Sequence, residues 1–392
     1  MSRATGSVVI VGAGAIGLAT ALELRRRGFS VRVVEAGSPP SPDASSTDIN
    51  KAVRMDYGTD EFYAGLAERA IAGWRAWNAW LDEGLYHEVG FLLLSREALR
   101  DGTFEGDSFR TLARRGHRLE RLDASAIARR FPAWARSGHV DGYFNPTAGY
   151  ARSGRAVERL AGAAVAAGIE LRPGGAVERL VEHGSRVRGV EVGPARERIE
   201  ADWVVVAAGA WTPVLLPHLA EVLRPTAQPV ALLRPSAPGL FEASCFPVWG
   251  SDIARTGWYG FPRTEGLVKV GNHGPGRVAD PRGARTVDAA TLLRFREFLA
   301  AALPDLAEAP IVASRTCFYC DTPDGDFWIG RDPERPGLVV AAGGSGHAFK
   351  FAPVLGPIVA DVIEGRPNED ARRFAWRAPD PAQREQARHS DD

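Results

Sequence analysis

The sequence contains very little cysteine: Cys245, Cys317 and Cys320 are the three in a chain of 392 residues. Three thiols cannot form a disulfide framework, so the class of small disulfide-stabilised secreted domains is excluded. Cys317 and Cys320 have Cys-x-x-Cys spacing, but zinc needs four ligands, and no second pair stands at zinc-finger spacing. A dithiol redox pair belongs at a helix start, whereas Arg315 to Tyr319 has the pattern of a strand. Cys320 and Cys245 are therefore interpreted as ordinary buried cysteines.

The chain also lacks an excess of charge and a long apolar run. Forty-eight Lys and Arg balance forty-eight Asp and Glu, which removes the electrostatic basis for binding nucleic acid or an anionic membrane. No apolar stretch approaches the roughly 20 residues that span a bilayer. The N-terminus has no signal-peptide layout, and the C-terminal His-Ser-Asp-Asp matches no targeting tripeptide. We therefore expect a cytoplasmic enzyme of small molecules, with no nucleic-acid and no membrane partner.

The N-terminal segment carries the strongest structural signal. A β-branched run over 7–11 leads into Gly12-Ala-Gly14-Ala-Ile-Gly17, a helical stretch over 18–27 and a second strand over 31–34. This order predicts a βαβ unit whose glycines allow a tight turn, approach of a pyrophosphate and close helix packing. Glu35 ends the second strand, where an acid can accept hydrogen bonds from a ribose. The motif predicts a bound dinucleotide and leaves open whether it is a nicotinamide or a flavin.

The rest of the chain predicts an α/β fold of two interleaved domains, since 392 residues exceed the usual size of one core. Tryptophans at helical spacing over 57–83 predict a helix packed in the core. A β-meander over 176–200 returns the chain to a buried parallel strand at 203–206, and residues 224–311 predict an antiparallel sheet. The tail from Arg366 is predicted to be partly disordered. The predicted domains are 1–85, 147–222 and 312–392 for the nucleotide, and 86–146 and 223–311 for the substrate.

Two charged clusters are candidates for chemistry. In Leu267-Val-Lys269-Val-Gly271-Asn-His273, the two-residue period of a strand places Lys269 and His273 on one side. The alternative is an exposed edge strand on which the lysine discourages aggregation.

The second cluster joins Lys51 and Arg54 to the distant Lys350. Arg54 can bind a carboxylate in a bidentate manner, with Lys350 as a second cation. Solvated surface charges are the alternative, but Lys350 lies between Phe349 and Phe351 in an apolar stretch, which argues against it.

These residues together carry a family resemblance. Over nearly its full length the chain resembles the monomeric sarcosine oxidases and N-methyltryptophan oxidases, with the related pipecolate and fructosyl amino acid oxidases. The matching motifs are the long flavin form of the glycine motif, Cys317-Phe-Tyr319, the Lys269 to His273 run, Arg54 in Lys-Ala-Val-Arg, and Lys350 in Gly-His-Ala-Phe-Lys. The resemblance implies an FAD-binding Rossmann-like domain of the glutathione-reductase type, with an interleaved antiparallel-sheet substrate domain.

The resemblance also implies FAD as the cofactor, joined through the Cys317 sulfur to the flavin 8α-carbon. The other residues expected at the cofactor are Gly12, Gly14, Ala15, Ile16, Gly17, Glu35, Ala36, Ser45, Ser46, Thr47, Lys51, Val177, Ala208, Gly209, Trp211, Gly343, Gly344, Gly346, His347, Phe349 and Lys350. The residues expected to serve catalysis are Lys51, Tyr259, Lys269, His273 and Tyr319, with Lys269 implicated in reducing oxygen. Arg54, Lys350 and Tyr259 are expected at the substrate.

The expected reaction is oxidation of a secondary amino acid, N-alkyl or cyclic, by hydride transfer to flavin. An imine and, after reoxidation by O2, hydrogen peroxide are the products. Lys51 stands where sarcosine oxidases have arginine, and Asp48-Ile-Asn-Lys51 resembles fructosyl amino acid and saccharopine-type oxidases, which are kept as alternatives. Fructosyl enzymes tend to carry an acid where this chain has His273, which favours the secondary amino acid.

The sequence is also compatible with two rival functions. A dehydrogenase that passes electrons to a carrier is one rival, and a flavin or NAD protein without amine oxidation is another. Trp249, Trp258 and Tyr259 either line an aromatic pocket or pack the sheet. A monomer or weak homodimer is expected.

Overall fold

The computed structural model describes residues 6–378 together with Gln386 and Arg388. In chain order the strands are β1 Ser7–Val11, β2 Ser30–Glu35, β3 Lys51–Val53, β4 Tyr86–His87, β5 Phe91–Ser95, β6 Glu120–Asp123, β7 Asp141–Asn145, β8 Gly149–Ala151, β9 Glu170–Pro173, β10 Val177–His183, β11 Arg186–Val192, β12 Glu197–Glu200, β13 Trp203–Val206, β14 Arg224–Leu233, β15 Val248–Ser251, β16 Trp258–Gly260, β17 Val268–Asn272, β18 Arg277–Val278, β19 Ile311–Asp321, β20 Trp328–Arg331 and β21 Leu338–Ala342. The α-helices are α1 Ala15–Arg26, α2 Glu61–Leu81, α3 Phe104–Arg114, α4 Ala124–Arg130, α5 Ser153–Ala166, α6 Thr212–Leu215, α7 Ile253–Thr256, α8 Ala289–Ala302, α9 Pro304–Ala307, α10 Ala352–Glu364 and α11 Glu369–Phe374. Short 3-10 helices lie at Pro132–Trp134, Gly209–Trp211, Pro217–Leu219, Pro238–Phe241 and Ala348–Phe351.

A six-stranded sheet carries the N-terminal βαβ unit. Its order is β20-β21-β13-β1-β2-β9, with β20 antiparallel and the other neighbours parallel. The central strands β13 and β21 are almost continuous apolar runs, because helices cover one face and the β10-β11-β12 meander covers the other. The predicted βαβ unit, the meander and the return to a buried parallel strand are thereby confirmed.

A nine-stranded sheet forms the second layer. It runs β18-β14-β17-β16-β15-β5-β7-β6, and β19 pairs with β14 along its other edge. The neighbours are antiparallel except for β15 and β5. Strands β5, β6 and β7 therefore share one sheet with the strands from 224–278, while β19 joins them from the last third of the chain and β4 pairs with β8 in a small β3-β8-β4 sheet. The exact division into domains stays a prediction.

The structure excludes the alternative that Lys269 lies on an edge strand, because β17 lies between β14 and β16. Part of the tail from Arg366 is ordered, since α11 spans Glu369–Phe374, buries Phe374 and pairs Arg373 with two carboxylates. Residues 379–385, 387 and 389–392, also part of that predicted tail, lie outside the described residues. No helix in the described part of the chain is long and apolar enough to cross a membrane.

Candidate active site

A cavity of about 570 Å³ lies between the six-stranded and nine-stranded sheets. The predicted residues on its wall are Gly12, Gly14, Ala15, Ile16, Glu35, Ala36, Ser45, Ser46, Lys51, Arg54, Val177, Ala208, Gly209, Trp211, Tyr259, His273, Tyr319, Gly343, Gly344, Gly346, His347, Phe349 and Lys350. The structure therefore brings together residues from both ends of the chain. The predicted site residues that do not line the wall are Gly17, Thr47, Lys269 and Cys317.

The glycine motif forms a turn that other residues could not make. Gly12 has a φ of 105°, and a Cβ there would lie 2.6 Å from the carbonyl oxygen of Ala207. Gly17 has a packing role instead, because a Cβ on this residue of α1 would overlap the carbonyl oxygen of Gly12. The backbone between them can consequently approach a ligand closely.

The N-terminus of α1 opens onto the cavity. Its N-cap is Gly14, which has no side chain to accept from the first amides, and its first turn carries no acidic residue. The positive end of the helix dipole therefore suits an anion such as a pyrophosphate. Glu35 lies beside it, fixed by the amides of Ala13 at 2.7 Å and Gly37 at 3.2 Å. Each carboxylate oxygen keeps a lone pair for a ribose hydroxyl, so these residues fit a dinucleotide.

Two tyrosines and a histidine form the opposite wall. Tyr259 on β16 packs on Gly271, where a Cβ would lie 2.6 Å from the tyrosine hydroxyl. Tyr319 on β19 packs on Gly346, and its hydroxyl lies 3.4 Å from Nδ1 of His273. Burial raises the pKa of Tyr259 to about 12 and that of Tyr319 well above its usual range, so both phenols are neutral at pH 7.

Cys317 lies in a buried polar cluster behind this wall. Its Sγ is 4.0 Å from Nζ of Lys51, which pairs with Asp48 at 3.2 Å. Lys269 is fully buried and also binds Asp48, at 2.6 Å. Burial opposes ionisation of Asp48, but the two lysines outweigh it and hold its pKa below the usual range. Asp48 was missed as a site residue, although it stands three residues before Lys51 in a motif that the sequence displays.

The two predicted substrate cations meet at a tyrosine. Arg54 and Lys350 are 6% and 5% exposed, so the surface-charge alternative is wrong. Nζ of Lys350 donates to the Tyr57 hydroxyl at 2.8 Å and to the carbonyl of His347 at 3.0 Å. The guanidinium of Arg54 lies 5.3 Å from the centre of the Tyr57 ring, and it donates to the backbone carbonyl of Asp56. Sequence reasoning missed Tyr57, which had been placed at the start of a helix.

Apolar side chains form the rest of the wall near Arg54. Phe91, Val248, Ile253 and Phe261 all line the cavity, and the Phe91 ring centre lies 5.8 Å from the Arg54 guanidinium carbon. Strands β5 and β15 bring Phe91 and Val248 together, which no local pattern revealed.

The three aromatic residues left open by the sequence divide between the two interpretations. Trp249 and Tyr259 line the cavity. Trp258 packs against Phe298 instead, with ring centres 4.4 Å apart.

Cys320 is buried as predicted, whereas Cys245 is only half-buried, so the prediction that Cys245 is a buried cysteine is wrong. Cys317, Cys320 and Cys245 are all free thiols. Burial raises the pKa of Cys320 to about 12, so its thiol is protonated at neutral pH. Within the described residues no cluster of three or more His, Cys, Asp or Glu side chains is placed to hold a metal ion.

Residues 7–362 match the FAD dependent oxidoreductase family. The chain therefore belongs to this family: it is an oxidoreductase with FAD as its cofactor, and the predicted fold class is confirmed.

Among its relatives are two bacterial enzymes named N-methyl-L-tryptophan oxidase. The one from Salmonella arizonae is 30% identical over 373 residues, covering 94% of this chain and 97% of the relative. The one from Yersinia pestis strain Pestoides F is 28% identical over 375 residues, covering 92% and 95%. The predicted likeness to this group of oxidases is confirmed.

Solved structures of similar fold include fructosamine oxidase (Amadoriase II) from Aspergillus fumigatus. It has a TM-score of 0.83 and 26% identity, with 96% of this chain and 90% of that chain covered. Fructosyl peptide oxidase from E. terrenum has a TM-score of 0.85 at 24% identity, with 100% and 97% covered, which shows the shared fold.

Proposed function

We propose that this protein is an FAD-dependent oxidase of a secondary amino acid, N-alkyl or cyclic, acting on a CH–NH bond. The observation that carries the proposal is a pair of buried cations, Arg54 and Lys350, on the wall of the cavity that the dinucleotide motif opens into. A buried cation pair beside apolar side chains such as Phe91 and Val248 selects a carboxylate. The N-methyl-L-tryptophan oxidase relatives act on an N-alkyl amino acid by their name, which supports the same class.

The chain's own residues would hold FAD along the cavity. The amides at the start of α1 would bind the pyrophosphate, and Glu35 would accept from a ribose hydroxyl. Cys317, whose sulfur lies 4.0 Å from Nζ of Lys51, would carry the flavin through that sulfur. When bound, FAD supplies a two-electron acceptor for the C–N oxidation and returns the electrons to O2 as hydrogen peroxide.

The other residues would orient the substrate and set the charges around it. Arg54 and Lys350 would fix the carboxylate, leaving the amine between Tyr259 and His273. An imine would leave the site and be hydrolysed by water, unless it is cyclic. Lys269 would supply the positive charge that favours reduction of oxygen.

One alternative has specific observations behind it, and a second differs only in its electron acceptor. A fructosyl amino acid or saccharopine-type oxidase is favoured by Asp48-x-Asn50-Lys51 and by the structural likeness to fructosamine oxidase. The apolar wall of Phe91, Val248 and Ile253 favours an alkyl or ring substituent over a polyol. A carrier-linked dehydrogenase would use the same cavity with a different electron acceptor.

An anaerobic screen tests the proposal. The holoenzyme is mixed with sarcosine, pipecolate, proline, N-methyltryptophan and fructosyl amino acids, and loss of visible flavin absorbance is measured. Reduction by an N-alkyl or cyclic amino acid is expected. Reduction by fructosyl amino acids alone, or by none of the compounds, would contradict the proposal.

Oxygen uptake separates the oxidase from the dehydrogenase. With the best substrate in air, one peroxide per imine is expected, and turnover that needs an added carrier would contradict the oxidase. Lys269→Met is expected to slow reoxidation by O2 by up to nearly three decades, since one unit charge close to a developing anion is worth at most about 4 kcal/mol. A cytoplasmic location and a monomeric or weakly dimeric state stay predictions.

A further inference from the structure

Asp48 is a buried carboxylate that two lysines share. It lies in the segment before β3, and its side chain is 4% exposed. Its Oδ2 accepts from Nζ of Lys269 at 2.6 Å and from Nζ of Lys51 at 3.2 Å, while Oδ1 accepts from the amide of Ile49 at 2.8 Å. One carboxylate thereby joins a lysine of the nine-stranded sheet to a lysine of the small β3-β8-β4 sheet.

The two lysines have different surroundings. Lys51 lines the cavity, whereas the Lys269 side chain is 0% exposed and lies behind the wall. Nζ of Lys269 also donates to the carbonyl of Asn50 at 2.7 Å, and it lies 4.7 Å from the Phe261 ring centre. An ammonium removed from water in this way needs an opposite charge beside it, and Asp48 supplies that charge.

We propose that Asp48 is a positioning residue that keeps Lys269 protonated and in place inside the fold. Its link to oxygen reduction rests on the proposed function, because Lys269 has that role only in an oxidase. The pairing itself is a property of the folded chain.

The charges around Lys269 come from several elements. Lys269 and Asp48 form an ion pair. The other titratable groups that act on these two residues or on Lys51 are Tyr259 on β16 and Arg315 and Cys317 on β19, with Lys51 itself on β3. Burial lowers the pKa of Lys269 to about 8, with Asp48 opposing that shift and Lys51 adding to it. Removing the Asp48 charge would therefore lower the pKa of Lys269 further, by roughly one unit or more.

Asp48→Asn tests the pairing, because it removes the charge and keeps the shape and one acceptor oxygen. The readout is the unfolding temperature of the holoenzyme between pH 6 and pH 9, which does not depend on turnover. An unfolded lysine has a pKa of about 10.4, so the folded protein binds fewer protons between pH 8 and that value. The contribution of Lys269 to stability therefore rises with pH in that window.

In Asp48→Asn the pKa of Lys269 is expected to be lower, so the rise of stability with pH begins at a lower pH. The variant is expected to unfold at a lower temperature than the unmodified protein at pH 6, with the deficit narrowing as the pH rises to 8. The control is Asp288→Asn, which changes an N-cap carboxylate of α8 that accepts from the Thr291 amide, and its deficit is expected to be constant with pH. A deficit of Asp48→Asn that is also constant would overturn the proposal.

The double variant Asp48→Asn/Lys269→Met keeps the test decisive if Asp48→Asn alone does not fold. Because it removes the unpaired ammonium together with its partner, it is expected to fold and to unfold at a higher temperature than Asp48→Asn. A double variant that is no more stable than the single one contradicts the pairing.

Reoxidation by O2 separates this inference from the proposed function. Asp48→Asn is expected to lose its reoxidation rate at a pH roughly one unit or more below that of the unmodified protein. If Lys269→Met leaves reoxidation unchanged, the oxygen role of Lys269 fails while the unfolding results still decide the pairing. In a second outcome, Lys269→Met slows reoxidation while Asp48→Asn changes neither the pH dependence of the unfolding temperature nor that of the reoxidation rate. That result would contradict the role of Asp48 and leave the oxygen role of Lys269 intact.

Discussion

At the scale of single residues, Tyr57 links the two cations proposed to bind the substrate. Its hydroxyl accepts from Lys350 and lies 3.0 Å from Nδ1 of His347, whose Nε2 is 3.1 Å from the carbonyl of Gly325. With Nε2 donating to that carbonyl, Nδ1 can accept the Tyr57 proton. The phenol is thereby oriented to receive the Lys350 ammonium.

Tyr57→Phe is therefore expected to weaken substrate binding. The lost hydrogen bond to a charged group is worth about 1.5 to 3 kcal/mol, so KM for the amino acid should rise at least about tenfold, with a smaller change in kcat. Steady-state kinetics with the best substrate measures both. The matched control is Tyr86→Phe, which removes a buried hydroxyl that has no hydrogen-bond partner among the described residues. Equal KM values for the two variants would contradict the role of Tyr57.

Cys317 gives a second prediction at this scale. Cys317→Ser removes the proposed sulfur attachment, so acid precipitation should leave the yellow colour in the supernatant, whereas the unmodified protein keeps it in the pellet. Cys320→Ser is the control, three positions along the same strand, and it should keep the flavin in the pellet. Retention of flavin by Cys317→Ser, or its release from the unmodified protein, would contradict the attachment.

Sequence reasoning found the residues whose immediate neighbours along the chain indicate a role. The glycine turn and Glu35 belong to one local motif, and Arg54 and Lys350 stand in apolar surroundings that mark a buried charge. The role of Asp48 depends on Lys269, which is 221 positions away. A pattern within a short stretch of sequence cannot show a contact between residues so far apart in the chain.

At the scale of elements, one Gly→Ala change in α1 and one in α5 are expected to have opposite effects on stability. A Cβ at Gly17 in α1 would overlap the Gly12 carbonyl oxygen, whereas Gly162 in α5 is exposed and has nothing within 4 Å. Gly17→Ala is expected to reduce FAD content and to destabilise the protein by about 1 to 3 kcal/mol. Gly162→Ala is expected to stabilise it by about 0.5 to 1 kcal/mol, because alanine lowers the entropy cost of the helix.

Thermal unfolding and the ratio of flavin to protein absorbance check this pair of changes. A Gly17→Ala variant with full FAD content and an unchanged unfolding temperature would contradict the need for close packing of Gly17 against the Gly12 backbone.

Strands and helices with strong periodicity followed from the sequence, but their partners did not. The parallel pairing of β5 with β15 joins Phe91 to Val248, so the apolar wall exists only after both strands have met. Helix α11 was missed because its composition is charged. Its order depends on Arg373, which pairs with Asp60 at 2.6 Å and with Asp326 at 2.9 Å.

At the scale of the whole molecule, the cavity lies where the two large sheets face each other. A ligand held there contacts both layers, so it should stabilise the folded state by mass action. In Cys317→Ser, where FAD can dissociate, a concentration of 100 times Kd should add about 2.7 kcal/mol to the free energy of unfolding.

The unfolding temperature of Cys317→Ser should therefore rise with added FAD. Riboflavin, which lacks the pyrophosphate that α1 is proposed to bind, is the control and should give a much smaller rise. Equal shifts with the two compounds would contradict binding at the N-terminus of α1.

The most direct measurement is a crystal structure of the protein with FAD and a non-oxidisable carboxylic acid. We expect the flavin in the cavity joined to the sulfur of Cys317, and the carboxylate within hydrogen-bonding distance of both Arg54 and Lys350. A flavin outside this cavity, or an acid that contacts neither cation, would contradict the proposed active site.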